Sequence, residues 1–295
     1  MTTRRVPGMP DPGRCLVMGV VNVTPDSFSD GGEWFDVDTA IRHGLDLVGE
    51  GADIVDVGGE STRPGAARVS LEEELRRVEP VIRALAQEGV TVSVDTMRAE
   101  VAEAAVEAGA KLVNDVSGGL ADPAMPRVVA ATGVPYVVMH WRGHSRDMDS
   151  RAIYADVVTE VAEELRKRVD SVLAEGVSEE QIVLDPGLGF SKKPQHNWAL
   201  LAGIGRLTEL GHPLIIGASR KRFLGRLLAD AEGTPRPFSG SDDATLAVTA
   251  LAARAGAWCV RVHQVGPNAD AVRVAAAWRA ADEGHAGQNA DEGRR

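Results

Sequence analysis

Asp95, Asn114 and Asp185 lie far apart in a chain of 295 residues, yet each stands directly after a short apolar run. Two carboxylates and an amide at such positions offer in-plane acceptors and an amide edge, suited to a flat, base-like heterocycle that carries N–H groups. A second group follows other apolar runs: Arg63, Lys221, Arg222, Arg261 and His263. With 32 basic against 43 acidic residues the net charge is −11, so nucleic acid or an anionic membrane is disfavoured as the main partner. Cations drawn together within such a chain instead suit a small anion such as phosphate or diphosphate, which arginine can grip bidentately. No Ser-His-Asp order, Cys/His pairing or metal-ligand spacing occurs, so covalent hydrolysis and a structural zinc site lack support.

The elements that must position these groups can be read from hydropathy. Apolar strand candidates fall at residues 16–21, 53–57, 91–94, 112–113, 136–139, 182–184, 214–216 and 258–262. Between them, residues 37–50, 71–88, 98–108 and 153–174 place apolar side chains at helical three- and four-residue spacing. Glycines such as Gly109 and Gly176 stand just before strands, where a left-handed helix cap is expected. Eight alternating βα units without a dinucleotide fingerprint predict one α/β domain, a (β/α)8 TIM barrel. In that architecture the loops leaving the strands share one face, and every exit is polar: Asn22; residues 59–64 (GESTRP); Asp95; Asn114 and Asp115; His140; Asp185; residues 219–221 (SRK); Arg261 and His263. Any one of these has an ordinary structural explanation, such as a helix cap, an Asx turn or a solvated charge. Eight together point to a site.

The barrel domain is expected over residues 15–281, with a flexible arm at 1–14 and a Gly/Asp/Glu/Arg-rich tail at 282–295 without fixed structure. Cys15 and Cys259 each border an apolar run and read as small core residues. With no apolar leader segment and no membrane-length run, the expected location is the cytoplasm.

Five motifs, in order and each at a strand exit, resemble the dihydropteroate synthases: residues 22–32 (NVTPDSFSDGG), 56–64 (DVGGESTRP), 185–190 (DPGLGF), 219–225 (SRKRFLG) and 261–263 (RVH). The resemblance spans roughly residues 15–280. It implies a TIM barrel of folate biosynthesis that joins 6-hydroxymethyl-7,8-dihydropterin diphosphate to 4-aminobenzoate, yielding 7,8-dihydropteroate and diphosphate with Mg²⁺. By position, Asp95, Asn114, Asp185 and Lys221 look like the pterin set, with Met139 in its apolar wall. Asn22 looks like the Mg²⁺ ligand. Arg63, Arg261 and His263, with Ser61 and Thr62 nearby, resemble the diphosphate contacts, and Pro64, Phe190 and Ser219 the 4-aminobenzoate pocket. Asp95, Lys221 and Arg63 are the residues it marks for catalysis. Arg222, where many relatives carry a small Ser, and Gln264, where Asp is common, depart from the pattern outside the direct ligands. The resemblance also implies a homodimer through helices of the C-terminal third, such as residues 244–255. A related barrel class that moves a methyl group from a methyltetrahydrofolate would share the pterin contacts but would not need the cation cluster or the loop after strand 1.

Overall fold

The computed structural model describes residues 5–24, 37–60, 68–143 and 150–292. Eight parallel strands run β1 (Leu16–Asn22), β2 (Ile54–Gly58), β3 (Val92–Asp95), β4 (Leu112–Asp115), β5 (Tyr136–Met139), β6 (Ile182–Asp185), β7 (Ile215–Ile216) and β8 (Cys259–Val262). Their spatial order is β6-β5-β4-β3-β2-β1-β8-β7. A parallel bridge between Leu184 and Leu214 joins the two ends, so the sheet closes on itself as expected. The main helices between strands are α1 (Val37–Gly49), α2 (Leu71–Gln87), α3 (Ala99–Ala108), α4 (Met125–Thr132) and α5 (Val157–Ala174). After β6 come α6 (Pro194–Ala202) and α7 (Ile204–Thr208), then α8 (Arg222–Leu227), α9 (Asp242–Arg254) and α10 (Val265–Glu292). Gly109 and Gly176, at φ 116° and 99°, adopt the left-handed backbone expected where a helix turns back into a strand.

Side-chain alternation along the strands sets the interior. Met18, Ile54, Leu112, Val137, Val183, Ile215 and Cys259, one from each of seven strands, pack together inside the barrel. The residues between them, such as Val17, Val55, Val113 and Val138, belong instead to the large core beneath the helices. Two residues beyond the inner apolar layer, the same inward phase delivers Asp56, Asn114, Met139, Asp185, Gly217 and Arg261. On β3, Ser93 occupies the inner layer and Asp95 the one above it. The interior therefore changes from apolar to polar within one step of the pleat.

Three expectations change. The arm is not loose where it is described: Val6 is 5% exposed and packs with Met9 under the inner layer, because the open bottom of the barrel otherwise leaves Leu16 and Trp258 uncovered. Arg14 fastens the end of this segment through paired bonds to Asp53 at 2.7 and 3.0 Å, and Asp53 also accepts the Val17 N–H at 2.8 Å. The helix expected from residue 153 begins at Val157, because the Asp156 carboxylate caps it by accepting from the Val158 and Thr159 N–H groups. The chain past residue 282 continues α10 to Glu292 despite two glycines in that stretch. Cys15 and Cys259 are buried free thiols, and burial pushes Cys15 up to about 12. Among the described residues no helix is long and apolar enough to cross a membrane.

Candidate active site

At the polar layer, Arg261 reaches across from β8 toward β2 and β3. Its Nε donates to Asp56 Oδ2 at 2.6 Å and one terminal nitrogen donates to Asp95 Oδ2 at 2.7 Å. Asp56 Oδ2 also accepts from Asn114 Nδ2 at 3.0 Å, which ties β4 into the group. Asp56 is fully buried, and its second oxygen has no partner among the described residues. Burial holds the Asp95 carboxyl up at about 7; Arg261 opposes this rise and the Asp56 charge adds to it. Arg261, expected as an anion contact, thus lies between two carboxylates. Behind Asp95, Thr96 Oγ1 donates to Glu74 at 2.6 Å, and Arg98 pairs with both Glu74 and Glu60. This network fixes the exits of β2 and β3 from outside.

Across the barrel, Asp185 closes β6. Its Oδ1 accepts the Gly187 N–H at 2.7 Å, leaving Oδ2 toward the interior beside Gly217. Gly187 holds φ +68°, and a Cβ there would lie 2.4 Å from the His140 carbonyl oxygen, so only glycine permits the turn. Burial raises Asp185, while the Gly187 N–H and the Lys221 charge work against the rise. Lys221, at the mouth of β7, places Nζ 4.2 Å from the Phe190 ring centre, and burial lowers it to about 8. The expected pterin set of Asp95, Asn114, Asp185 and Lys221, with Met139 between β4 and β6, is therefore gathered at one end of one barrel.

Ser219 and His263 meet directly: Ser219 Oγ lies 2.9 Å from His263 Nδ1 and accepts the His263 backbone N–H at 3.2 Å. Asn22 ends β1 half-buried, opposite Gly58 of β2. No group of three or more His, Cys, Asp or Glu among the described residues gathers to hold a metal. A lone amide oxygen is nevertheless the kind of hard, neutral ligand that Mg²⁺ accepts when phosphates and water complete its shell. Ser61, Thr62, Arg63 and Pro64, and most of the loop after β1, lie outside the described residues. Two exit residues do structural work instead. Asp115 faces outward and accepts from Ser117, Gly119 and Tyr136, while Arg220 pairs with Asp242 at 3.1 Å. Arg222 is exposed at the start of α8.

One network escaped sequence reasoning. Lys192 is buried behind the β6 loop; its Nζ lies 3.0 Å from both His140 Nδ1 and the Phe190 carbonyl. Burial lowers Lys192 to about 7 and His140 to about 4. A neutral His140 then accepts at Nδ1 and donates from Nε2 to Glu164 at 2.9 Å. Glu164 also pairs with Arg142, which stacks 3.9 Å over Tyr154, whose hydroxyl donates to the Ser191 carbonyl at 3.1 Å. The sequence offers only the Lys192-Lys193 pair after DPGLGF-Ser, which reads as solvated charge.

Against known proteins, residues 18–263 match the family model described as pterin binding enzyme. The dihydropteroate synthase of Mycobacterium leprae is 56% identical over 263 residues, covering 89% of this chain and 93% of that protein. A solved dihydropteroate synthase of Xanthomonas albilineans with 4-aminobenzoic acid is 46% identical with a TM-score of 0.80, over 91% of this chain and 93% of that one. The same organism's enzyme in complex with 7,8-dihydropteroate is 43% identical with a TM-score of 0.79, over 91% and 94%. A barrel whose inward polar layer sits on the β3, β4, β6 and β8 exits, matched across nearly its whole length, belongs to the dihydropteroate synthase family of pterin-binding enzymes.

Proposed function

We propose that this barrel transfers the 7,8-dihydropterin-6-ylmethyl group from its diphosphate to 4-aminobenzoate, forming 7,8-dihydropteroate and releasing diphosphate. The observation that carries the reading is the division of the polar layer. Acceptors on β3, β4 and β6 (Asp95, Asn114, Asp185), with Lys221 beside them, suit the edges of a pterin, and Arg261 and His263 at the end of β8 suit the leaving group. The solved relatives bound to 4-aminobenzoic acid and to 7,8-dihydropteroate support the choice of nucleophile and product.

The chemistry follows from the groups present. As the methylene C–O bond breaks, the electron pair leaves with the diphosphate, where Arg261, His263 and Arg63 would meet the departing charge. The electron-rich dihydropterin spreads the positive charge left on the methylene. The arylamine nitrogen then forms the C–N bond and releases its proton to solvent, so no strong general base is needed. Phe190 and Ser219, with Pro64, would border the arylamine. Mg²⁺ bound with the diphosphate and held by Asn22 would supply further charge neutralisation. The loops after β1 and β2, whose closing over the diphosphate would order binding with the pterin first, lie outside the described residues.

We also propose a homodimer through α9 and α10, supported by Leu251, Val274 and Trp278, which are 60–69% exposed there. The experiment for the activity is incubation of purified protein with both substrates and Mg²⁺. Stoichiometric dihydropteroate and diphosphate are expected, and pterin binding without turnover would overturn the assignment.

A further inference from the structure

Asp56 carries no expected role of its own, yet among the described residues it bonds both an expected pterin contact and an expected diphosphate contact. Its Oδ2 accepts from Arg261 Nε at 2.6 Å and from Asn114 Nδ2 at 3.0 Å. An oxygen that takes the Arg261 Nε–H meets its other neighbours as an acceptor. The Asn114 amide must therefore turn its NH₂ toward Asp56, because the opposite orientation would set a carbonyl oxygen against a carboxylate oxygen. Asn114 itself is 5% exposed and its Oδ1 accepts nothing among the described residues, so the end left for a ligand includes a fixed acceptor.

That orientation has a chemical consequence, resting on the pterin-site reading above. If Asp185 takes N3–H and one amino hydrogen, the N–H groups left on the other edge are the second amino hydrogen, common to both rings, and N8–H, which only the reduced ring has. In the 7,8-dihydropterin N8 is a donor, whereas in the oxidised pterin it is a bare lone pair. We propose that Asp56 is a positioning residue that locks Asn114 as an acceptor and so makes the site select the reduced pterin over the oxidised one. Facing Asn114 Oδ1 with a lone pair leaves both groups buried and unsatisfied, which would cost about tenfold or more in affinity. Oxidation state would be read by an amide that cannot flip, and what prevents the flip is a carboxylate that never touches the substrate.

The test is anaerobic calorimetry with 6-hydroxymethyl-7,8-dihydropterin and 6-hydroxymethylpterin. The wild-type protein is expected to bind the reduced ring at least about tenfold more tightly. Asp56→Asn replaces an acceptor-only group by an amide that can also donate, which frees Asn114 to turn over. The preference for the reduced ring should then shrink by about tenfold while Asp56→Asn keeps its melting temperature within a few degrees. Equal binding of the two rings by the wild type would overturn the proposal without any variant, and therefore even if Asp56→Asn did not fold. Proportional weakening of both rings in Asp56→Asn would show a merely structural Asp56 and would also overturn it. Binding of neither ring by the wild type would instead sink the pterin-site reading on which the proposal rests.

Discussion

Lys192 Nζ stands 3.0 Å from His140 Nδ1, so a buried amine and a buried imidazole share one hydrogen bond between the loops leaving β5 and β6. The same amine holds the Phe190 carbonyl, and Phe190 lies under Lys221. The pair therefore sets the position of a residue expected beside the arylamine. Lys192→Met should raise the KM for 4-aminobenzoate more than that for the pterin diphosphate. Steady-state kinetics with each substrate varied in turn would check this, and equal changes in both KM values would separate Lys192 from the second pocket.

The same lysine gives a pH signature. Burial lowers it from its ordinary range to about 7 in the folded protein, so between about pH 7 and the ordinary lysine range the unfolded chain binds the proton more tightly. Its contribution to stability must then increase as pH rises through that window. Relative to Lys192→Met, the wild type should gain up to about 1.4 kcal/mol per pH unit, measured by denaturant titration at several pH values. A difference between the two proteins that stays flat from pH 7 to 10 would refute it.

Arg261→Ala should leave Asp56 and Asp95 without their cation in a buried layer. Removing one partner of a buried pair costs about 3–5 kcal/mol, which Asp95 can reduce by binding a proton. Asp95 is already raised to about 7, so the variant's carboxyl should titrate higher still. A folded pKa above the unfolded value yields stability that is lost as pH rises through the folded pKa. The deficit of Arg261→Ala should therefore deepen from pH 6 to pH 9, and thermal melts across that range would show it. A deficit that does not change with pH would mean that the two carboxylates are not coupled to Arg261.

Asp185→Asn is expected to lose pterin binding by more than about tenfold, since one oxygen is committed to the Gly187 N–H and an amide cannot keep that bond while facing two ligand donors. Calorimetric titration with the pterin alone is sufficient, and wild-type affinity would exclude Asp185 from the site.

Trp278→Ala combined with Leu251→Glu places a charge and a cavity on the exposed apolar stretch of α9 and α10. Light scattering at micromolar concentration should report a dimer for the wild type and a monomer for the double variant. A monomeric wild type would overturn the proposed assembly.

The strand exits were legible because an inward polar residue after an apolar run has few structural uses, and Asp95, Asn114 and Asp185 all take that form. Asp56 was harder to see. It lies inside a buried run, two residues short of the exit, and only strand phase distinguishes it from Val55 and Val57. Lys192, Glu164 and Arg142 come from different loops and a helix, and their meeting depends on how those segments pack, which no local pattern encodes. The arm under the barrel escaped for a similar reason: Val6 and Met9 lie among Pro and Gly, and their burial depends on an opening that exists only after the strands close. The partnering of Arg261 with carboxylates was hidden because its charge suggested an anion, whereas the side chain's length also brings Asp56 within reach.

The two-residue step from apolar to polar layer restricts how this protein can change over evolutionary time. Loops at the strand exits can lengthen, shorten or exchange residues without altering which way any strand residue faces. Deleting one residue within β2, β4 or β6 would instead rotate that strand's reading frame by half a pleat, pointing Val55, Val113 or Leu184 inward where Asp56, Asn114 or Asp185 had been and driving the acid or amide under a helix. Specificity can therefore drift through the loops, while the polar floor can change only by substitution, one side chain at a time.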